Sequence, residues 1–195
     1  NTFTQFSLHT QETNGHDRFI GNLGFGYRML SDDKSNLFGA NVFFDNDFEA
    51  EHRRGSIGLE VKGAYLDLTV NSYYALTDSK NYKGTAEEVL SGQTINLASQ
   101  IPYAPWANLN LQSYSWENVK ASSDTEGYTV SIESYLTPSL ALEVKNDYND
   151  NAAVDDEFTY KLTYNYPPRG DGKSMQDGLS KLAFEKQNME AKLKD

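Results

Sequence analysis

Read at every second position, the chain separates into an apolar face and a polar face, and it does so about ten times over. In "RFIGNLGFGYRML" (18–30) the odd positions give Phe19, Leu23, Phe25, Tyr27 and Met29, and the even ones Arg18, Asn22, Gly24, Gly26 and Arg28. A period of two is the signature of a β-strand with one apolar face. The alternation recurs in "NLFGANVFFDND", "GSIGLEVKG", "YLDLTVNSYYAL", "TINLASQI" and "WANLNLQSYSW". It continues through "GYTVSIESYL", "SLALEVKNDY" and "EFTYKLTYNY", with a weaker copy in "TFTQFSLHT". Most of these runs approach the ~9–11 residues that a tilted strand needs to cross a bilayer.

The connections alternate as well. "SDDKS", "GA", "PYAP" and "TPS" are short, with turn-forming residues. "QETNGHD", "EAEHRR", "TDSKNYKGTAEEVLSGQ", "ENVKASSDTEG" and "NDNAAVDD" are longer and polar. Short turns at one end and long loops at the other is the layout of an outer-membrane barrel, and an even number of strands puts both of its ends on the short-turn side. Pro167 and Pro168 end the last strand, Gly170 and Gly172 form a joint, and the spacing of Met175, Leu179, Leu182, Met189 and Leu193 predicts a helix after a Ser174–Asp177 capping signal.

Periodicity alone does not say which face is wet, because a soluble ligand-binding β-barrel alternates too. Three features favour an all-β, up-and-down antiparallel transmembrane barrel. Charges sit deep in the polar face, the connections are asymmetric in length, and aromatic residues gather near the ends of the apolar faces, as interfacial girdles do. The expected lipid-facing girdle is Phe19, Tyr27, Tyr74, Tyr128, Tyr148, Phe158 and Tyr166. The expected lumen lining is Asn22, Arg28 and Asn41 on the early strands and Glu60, Lys62, Asp67 and Asn71 on the next two. Glu133, Glu143, Lys145 and Lys161 continue it on the later strands.

Composition closes off other classes. No run reaches the ~18 apolar residues of a spanning helix, and a net charge of −11 disfavours nucleic acid as a partner. The absence of cysteine removes disulfides, thiolate metal sites and a catalytic thiol. Residues 167–195 hold six basic and five acidic residues, which leaves 11 basic and 23 acidic residues, a net −12, in the barrel portion. A weakly basic tail inside an acidic barrel is modestly favourable.

Read in order, "NLGFGYRML", "GANVFFDNDF", "HRRGSIGLE", "YLDLTVNSYYAL", "PYAPWA" and "LTPSLALEV" closely resemble the β-domain of inverse autotransporters, the intimin/invasin adhesins. The resemblance covers residues 15–166. It implies a Gram-negative outer-membrane barrel of twelve strands, followed by a helical linker that threads the pore and carries a C-terminal passenger to the cell surface. Residues 1–166 are then the barrel, with N-terminal strands expected to be missing, and 167–195 the linker and helix. The implied partners are outer-membrane lipid, the chain's own linker and passenger, the barrel-assembly machinery and periplasmic chaperones. The family implies no catalytic residue, no cofactor and no metal. An omptin-like rim protease built on His16–Asp17 and on Asp45, Asp47, Glu51 and His52 is the rival, alongside a small-solute channel. Asp45, Asp47, Glu49 and Glu51 are carboxylates suited to Ca²⁺, yet they lack the glycine turn and closing glutamate of an EF-hand loop.

Overall fold

The computed structural model describes residues 1–13, 16–118, 124–150, 156–169 and 173–193. Five strands come first: β1 (Thr2–Thr13), β2 (His16–Leu30), β3 (Leu37–Asp47), β4 (Arg53–Lys62) and β5 (Leu66–Ala75). A short hairpin follows, β6 (Lys80–Tyr82) and β7 (Thr85–Glu87). Five more strands complete the sheet: β8 (Ser91–Ile101), β9 (Ala104–Glu117), β10 (Thr125–Thr137), β11 (Leu140–Asn149) and β12 (Glu157–Tyr164). The ten long strands form one antiparallel meander in chain order, and β6–β7 stand apart as a two-stranded ribbon.

A ten-residue strand such as β4 measures about 33 Å at ~3.3 Å per residue, and a tilt near 40° reduces that to about 25 Å, the height of a membrane barrel's apolar band. Within the described residues no ladder joins β1 to β12, so each is an edge. The described strands thus form an open ten-stranded antiparallel sheet, in which closure into the expected barrel is not seen.

Burial along the strands runs opposite to that of a water-soluble sheet. On β4, Ile57, Leu59 and Val61 are 52%, 61% and 42% exposed, whereas Ser56 and Glu60 are 9% and 7% exposed. The same inversion holds on β2, where Phe25 and Tyr27 are exposed and Arg18 is buried. Among the described residues Leu37 is the one large side chain fully removed from solvent. Leaving a large apolar side chain half exposed forgoes about 1 kcal/mol of transfer free energy. A sheet that does so on every strand is built to place that face in an apolar medium.

The polar face is held in register by side chains that meet across a missing one. Arg28, Gly39 and Glu60 lie opposite one another on β2, β3 and β4. Because Gly39 has no side chain, the Arg28 guanidinium reaches over it to the Glu60 carboxylate, Nε to Oε1 2.5 Å. A Cβ at Gly39 would lie 2.3 Å from that oxygen. One register step toward the long loops, Asn41 and Asn71 close over Gly58 in the same manner.

The expected helix is not formed. Residues 175–177 make one 3-10 turn and Met189–Lys192 one α-turn, α1, while the stretch between them is irregular. The capping signal exists, since Ser174 N–H donates to Asp177 Oδ2 at 2.7 Å. The turn ends at once because Gly178 adopts φ +74°, and the peptide groups that follow, at Ser180, Ala183 and Glu185, bond to Tyr103 and Gln100 instead of to each other. Gly170 and Gly172, the expected joint, lie outside the described residues.

Candidate functional site

The polar face and its two ends form the candidate site. On the face itself, hydrogen bonds run from strand to strand along the register. Ser7 Oγ donates to Asn22 Oδ1 (2.8 Å) and Asn22 Nδ2 to Asp45 Oδ1 (2.6 Å). Arg54 Nη2 donates to Asp45 Oδ2 (3.0 Å). Arg54 also lies over the rings of Tyr73 and Trp116, at 4.9 and 5.7 Å. On the later strands Ser131 Oγ donates to Glu143 Oε1 (2.8 Å), and Tyr135 and Tyr114 hydroxyls donate to Glu133 and Asp147. These bonds leave the face polar yet largely satisfied, a surface that water or a hydrated chain can touch without being gripped by a bare charge.

The expected lining residues all fall on this face, and they group by height. Glu60 brings together Arg28 and Lys62, whose Nζ is 3.2 Å from Glu60 Oε2. Asn22 belongs to the rung through Asp45, and Asn71 donates to Thr94 Oγ1 at 3.3 Å. Glu133, Glu143 and Lys161 lie opposite one another on β10, β11 and β12, and Lys145 sits opposite Ser131. Lys161 is exposed because β12 has a neighbour on one side alone. The seven expected girdle aromatics are all exposed. Phe19, Tyr74, Tyr128, Tyr148 and Phe158 lie toward the long-loop ends of their strands, and Tyr27 and Tyr166 toward the short-turn end. Tyr128 and Tyr148 stack with centroids 4.9 Å apart.

At the long-loop end the structure brings His16, Asp47 and His52, all expected at the rim, together with Arg18, Tyr82 and Glu87, which the sequence does not signal. Arg18 donates to Asp47 Oδ2 (3.0 Å) and to both oxygens of Glu87 on the β6–β7 ribbon. Its guanidinium lies 4.9 Å from the Tyr82 ring centroid, against which His16 packs edge-on. His52 is buried beside them, with Nδ1 3.5 Å from Thr77 Oγ1 and Nε2 4.0 Å from Glu87. Burial pushes the His52 pKa down, against the opposing pull of Asp47 and Glu87. The acidic residues that a rim protease or a cation site would use are otherwise engaged. Asp47 Oδ1 caps the Glu49 and Ala50 amides, Glu49 accepts from Phe19 N–H, and Glu51 pairs with Lys80. Among the described residues no group of three acidic or histidine side chains is disposed to hold a metal ion.

At the short-turn end the tail returns to the face. Lys192 donates to Asp67 Oδ1 and to the Gly63 carbonyl (3.2 Å), and Met189 is buried beside it. Burial lowers the Lys192 pKa, and the Asp67 carboxylate opposes that shift. Below them the β2–β3 turn is closed by Asp33. Hydrogen bonds from the Ser31 hydroxyl, and then from Ser35, hold its carboxyl at about 2. A cavity of about 530 Å³ remains between tail and face, bordered by Lys62, Asp67, Glu133, Tyr135 and Lys192.

A family model described as the inverse autotransporter β-domain matches residues 1–195. An intimin of Escherichia coli O111:H- is 29% identical over 160 residues, covering 76% of this chain and 17% of the intimin. An invasin of Yersinia enterocolitica is 25% identical over 173 residues, covering 84% of this chain and 20% of the invasin. The chain thus spans about a fifth of the length of those relatives. A solved structure from work on the in-meso crystallization of membrane proteins shares the fold, with TM-score 0.69 at 21% identity over 84% of this chain and 70% of that one.

Proposed function

The chain belongs to the inverse autotransporter β-domain family, and from that premise we propose that it anchors an adhesin in the bacterial outer membrane and exports a C-terminal passenger to the cell surface. In this reading residues 1–166 are the embedded unit and 167–195 the linker to the passenger. The exposed apolar face meets lipid and the polar face lines the path of the chain. The short turns face the periplasm and the long loops the outside, so the Arg18 cluster lies at the outer end and the tail enters from the inner one. The protein acts through its surface and not as an enzyme. Adhesion belongs to the passenger, and assembly into the membrane requires the barrel-assembly machinery and periplasmic chaperones.

The observation that carries this reading is the inversion of burial combined with the course of the tail. A soluble barrel has no use for Leu59 in solvent and Glu60 beneath it, and a channel or rim protease has no use for a C-terminal segment drawn up against its polar face. The test joins an epitope after Asp195 and expresses the fusion in Gram-negative cells. The epitope is expected to be cut by protease added to intact cells while the barrel stays in the outer-membrane fraction. An epitope cut only after lysis would overturn export, and a barrel found in the soluble fraction would overturn the anchor.

A further inference from the structure

Beyond β12 the tail crosses the short turns in reverse order. Arg169 N–H donates to Pro138 O on the β10–β11 turn. Gly178 to Glu185 pass the β8–β9 turn, Gln187 bonds Ala64 on the β4–β5 turn, and Glu190 meets Lys34 on the β2–β3 turn. The contacts at β8–β9 share one chemical character. Tyr103 N–H donates to Ala183 O (2.8 Å), and Tyr103 O accepts from Ser180 N–H (2.7 Å). The Trp106 indole N–H donates to Gly178 O (2.8 Å). The Gln100 carboxamide serves both sides of one residue, donating through Nε2 to Glu185 O and accepting through Oε1 from Glu185 N–H, each at 3.0 Å. In every one of these bonds the tail contributes a peptide group.

At the β8–β9 turn itself the tail's side chains contribute little, whereas further along Phe184 meets the Tyr65 ring edge-on with centroids 6.1 Å apart, Met189 is buried and Lys192 pairs with Asp67. Leu179 and Leu182 project into solvent, and the Lys34–Glu190 pair is more than half exposed on both partners, where an ion pair contributes little. Gln100 is 5% exposed. A buried carboxamide demands both a donor and an acceptor, and an extended peptide unit supplies both whatever its side chain.

We propose that Gln100, Tyr103 and Trp106 form a clasp at the short-turn mouth that recognises polypeptide through its backbone, independently of sequence, and that holds the linker in this structure. The proposal rests on the translocator reading, because a mouth through which unlike segments pass has only the peptide group in common to recognise. Neutral hydrogen bonds of this kind are individually weak, so the clasp orients a chain without trapping it.

Hydrogen–deuterium exchange of the full chain in detergent micelles tests it. The Ser180, Glu185 and Gln187 amides are expected to be protected. Gln100→Leu is expected to raise exchange at Glu185 about tenfold. The combined Leu179→Ala, Lys181→Ala and Leu182→Ala variant is expected to leave that rate within about twofold. If Gln100→Leu does not give a heat-modifiable folded band, Gln100→Met, which keeps the length of the side chain and loses both the donor and the acceptor, carries the test with the same expected rise at Glu185. Unprotected Glu185 in the unaltered chain, or equal acceleration by the side-chain variant, would overturn the clasp. Those results leave export of the epitope fusion untouched, so failure of the clasp and failure of the translocator reading are read separately.

Discussion

Removing the Glu60 carboxylate tests whether the polar face is a confined interior. Glu60 is 7% exposed and balances Arg28 and Lys62, which are 14% and 20% exposed. Glu60→Gln keeps the volume but leaves two cations facing an amide. Breaking a fully buried pair costs roughly 3–5 kcal/mol, and the residual water contact of the two cations lowers the expectation to about 2–3 kcal/mol. Arg28→Met leaves Lys62 as the partner of Glu60 and is expected to cost about 1–2 kcal/mol. The double variant should fall short of the sum by about 1 kcal/mol or more, since the residues share one interaction. Gly39→Ala acts in the same direction, because its Cβ would lie 2.5 Å from Glu60 Cγ and force the carboxylate off Arg28. The assay is urea unfolding in lipid vesicles, followed by the fluorescence of Trp106 and Trp116 at constant m. A loss below about 0.5 kcal/mol for Glu60→Gln would mean that bulk water screens these charges, and the argument for a confined polar face would fail.

Other outcomes follow from the same geometry. Leu59→Arg, at a mid-strand position 61% exposed, is expected to cost about 2–4 kcal/mol in vesicles; a change within 0.5 kcal/mol, as for a soluble surface, would contradict lipid contact. Gly58→Val should be destabilising by about 1–3 kcal/mol, because a Cβ there would lie 2.4 Å from the side-chain oxygens of Asn41 and Asn71; urea midpoints check it, and an unchanged midpoint would show that the two amides do not close over the glycine. His52 contributes to pH dependence with a definite sign. Its folded pKa is depressed by burial, so the unfolded chain binds the proton first, and stability is lost as pH falls below about 6.5 toward the folded value. Unfolding midpoints between pH 7 and 5 should fall for the unaltered chain and fall less for His52→Gln, and parallel curves would refute the assignment.

How much of this was legible in the sequence differs from element to element. The ten long strands and their faces were readable because a strand's faces repeat every two residues whatever solvent it meets. For the same reason periodicity does not say which face is wet; the burial of Glu60 beside exposed Leu59 supports the reading that the apolar face meets lipid. In the tail Met175, Leu179, Leu182, Met189 and Leu193 keep a helical spacing that the fold does not use. That preference is worth only tenths of a kcal/mol per residue, and Gly178 together with bonds from Gln100 and Trp106 overrides it. The β6–β7 ribbon lies inside a long polar link that the sequence marks only as a loop. It had one signal, Lys83-Gly84, which adopts positive φ at both positions as a tight hairpin turn requires. Arg18 and Glu87 are 69 residues apart, and nothing in either segment announces that a loop will fold back onto the strand.

In the proposed reading the apolar face lies in lipid and the polar face does not. The chain has no cysteine, so a single introduced thiol reports one position without background. Leu59 and Asn71 sit at nearly the same height, being opposite Val70 and Gly58 respectively, but on opposite faces. Leu59→Cys and Asn71→Cys would each be labelled with a fluorophore and placed in vesicles, then exposed to brominated acyl chains and to aqueous iodide. The label at 59 is expected to be quenched by the brominated lipid and not by iodide, and the label at 71 to show the reverse. Iodide quenching at 59 with no lipid quenching at either position would contradict that reading.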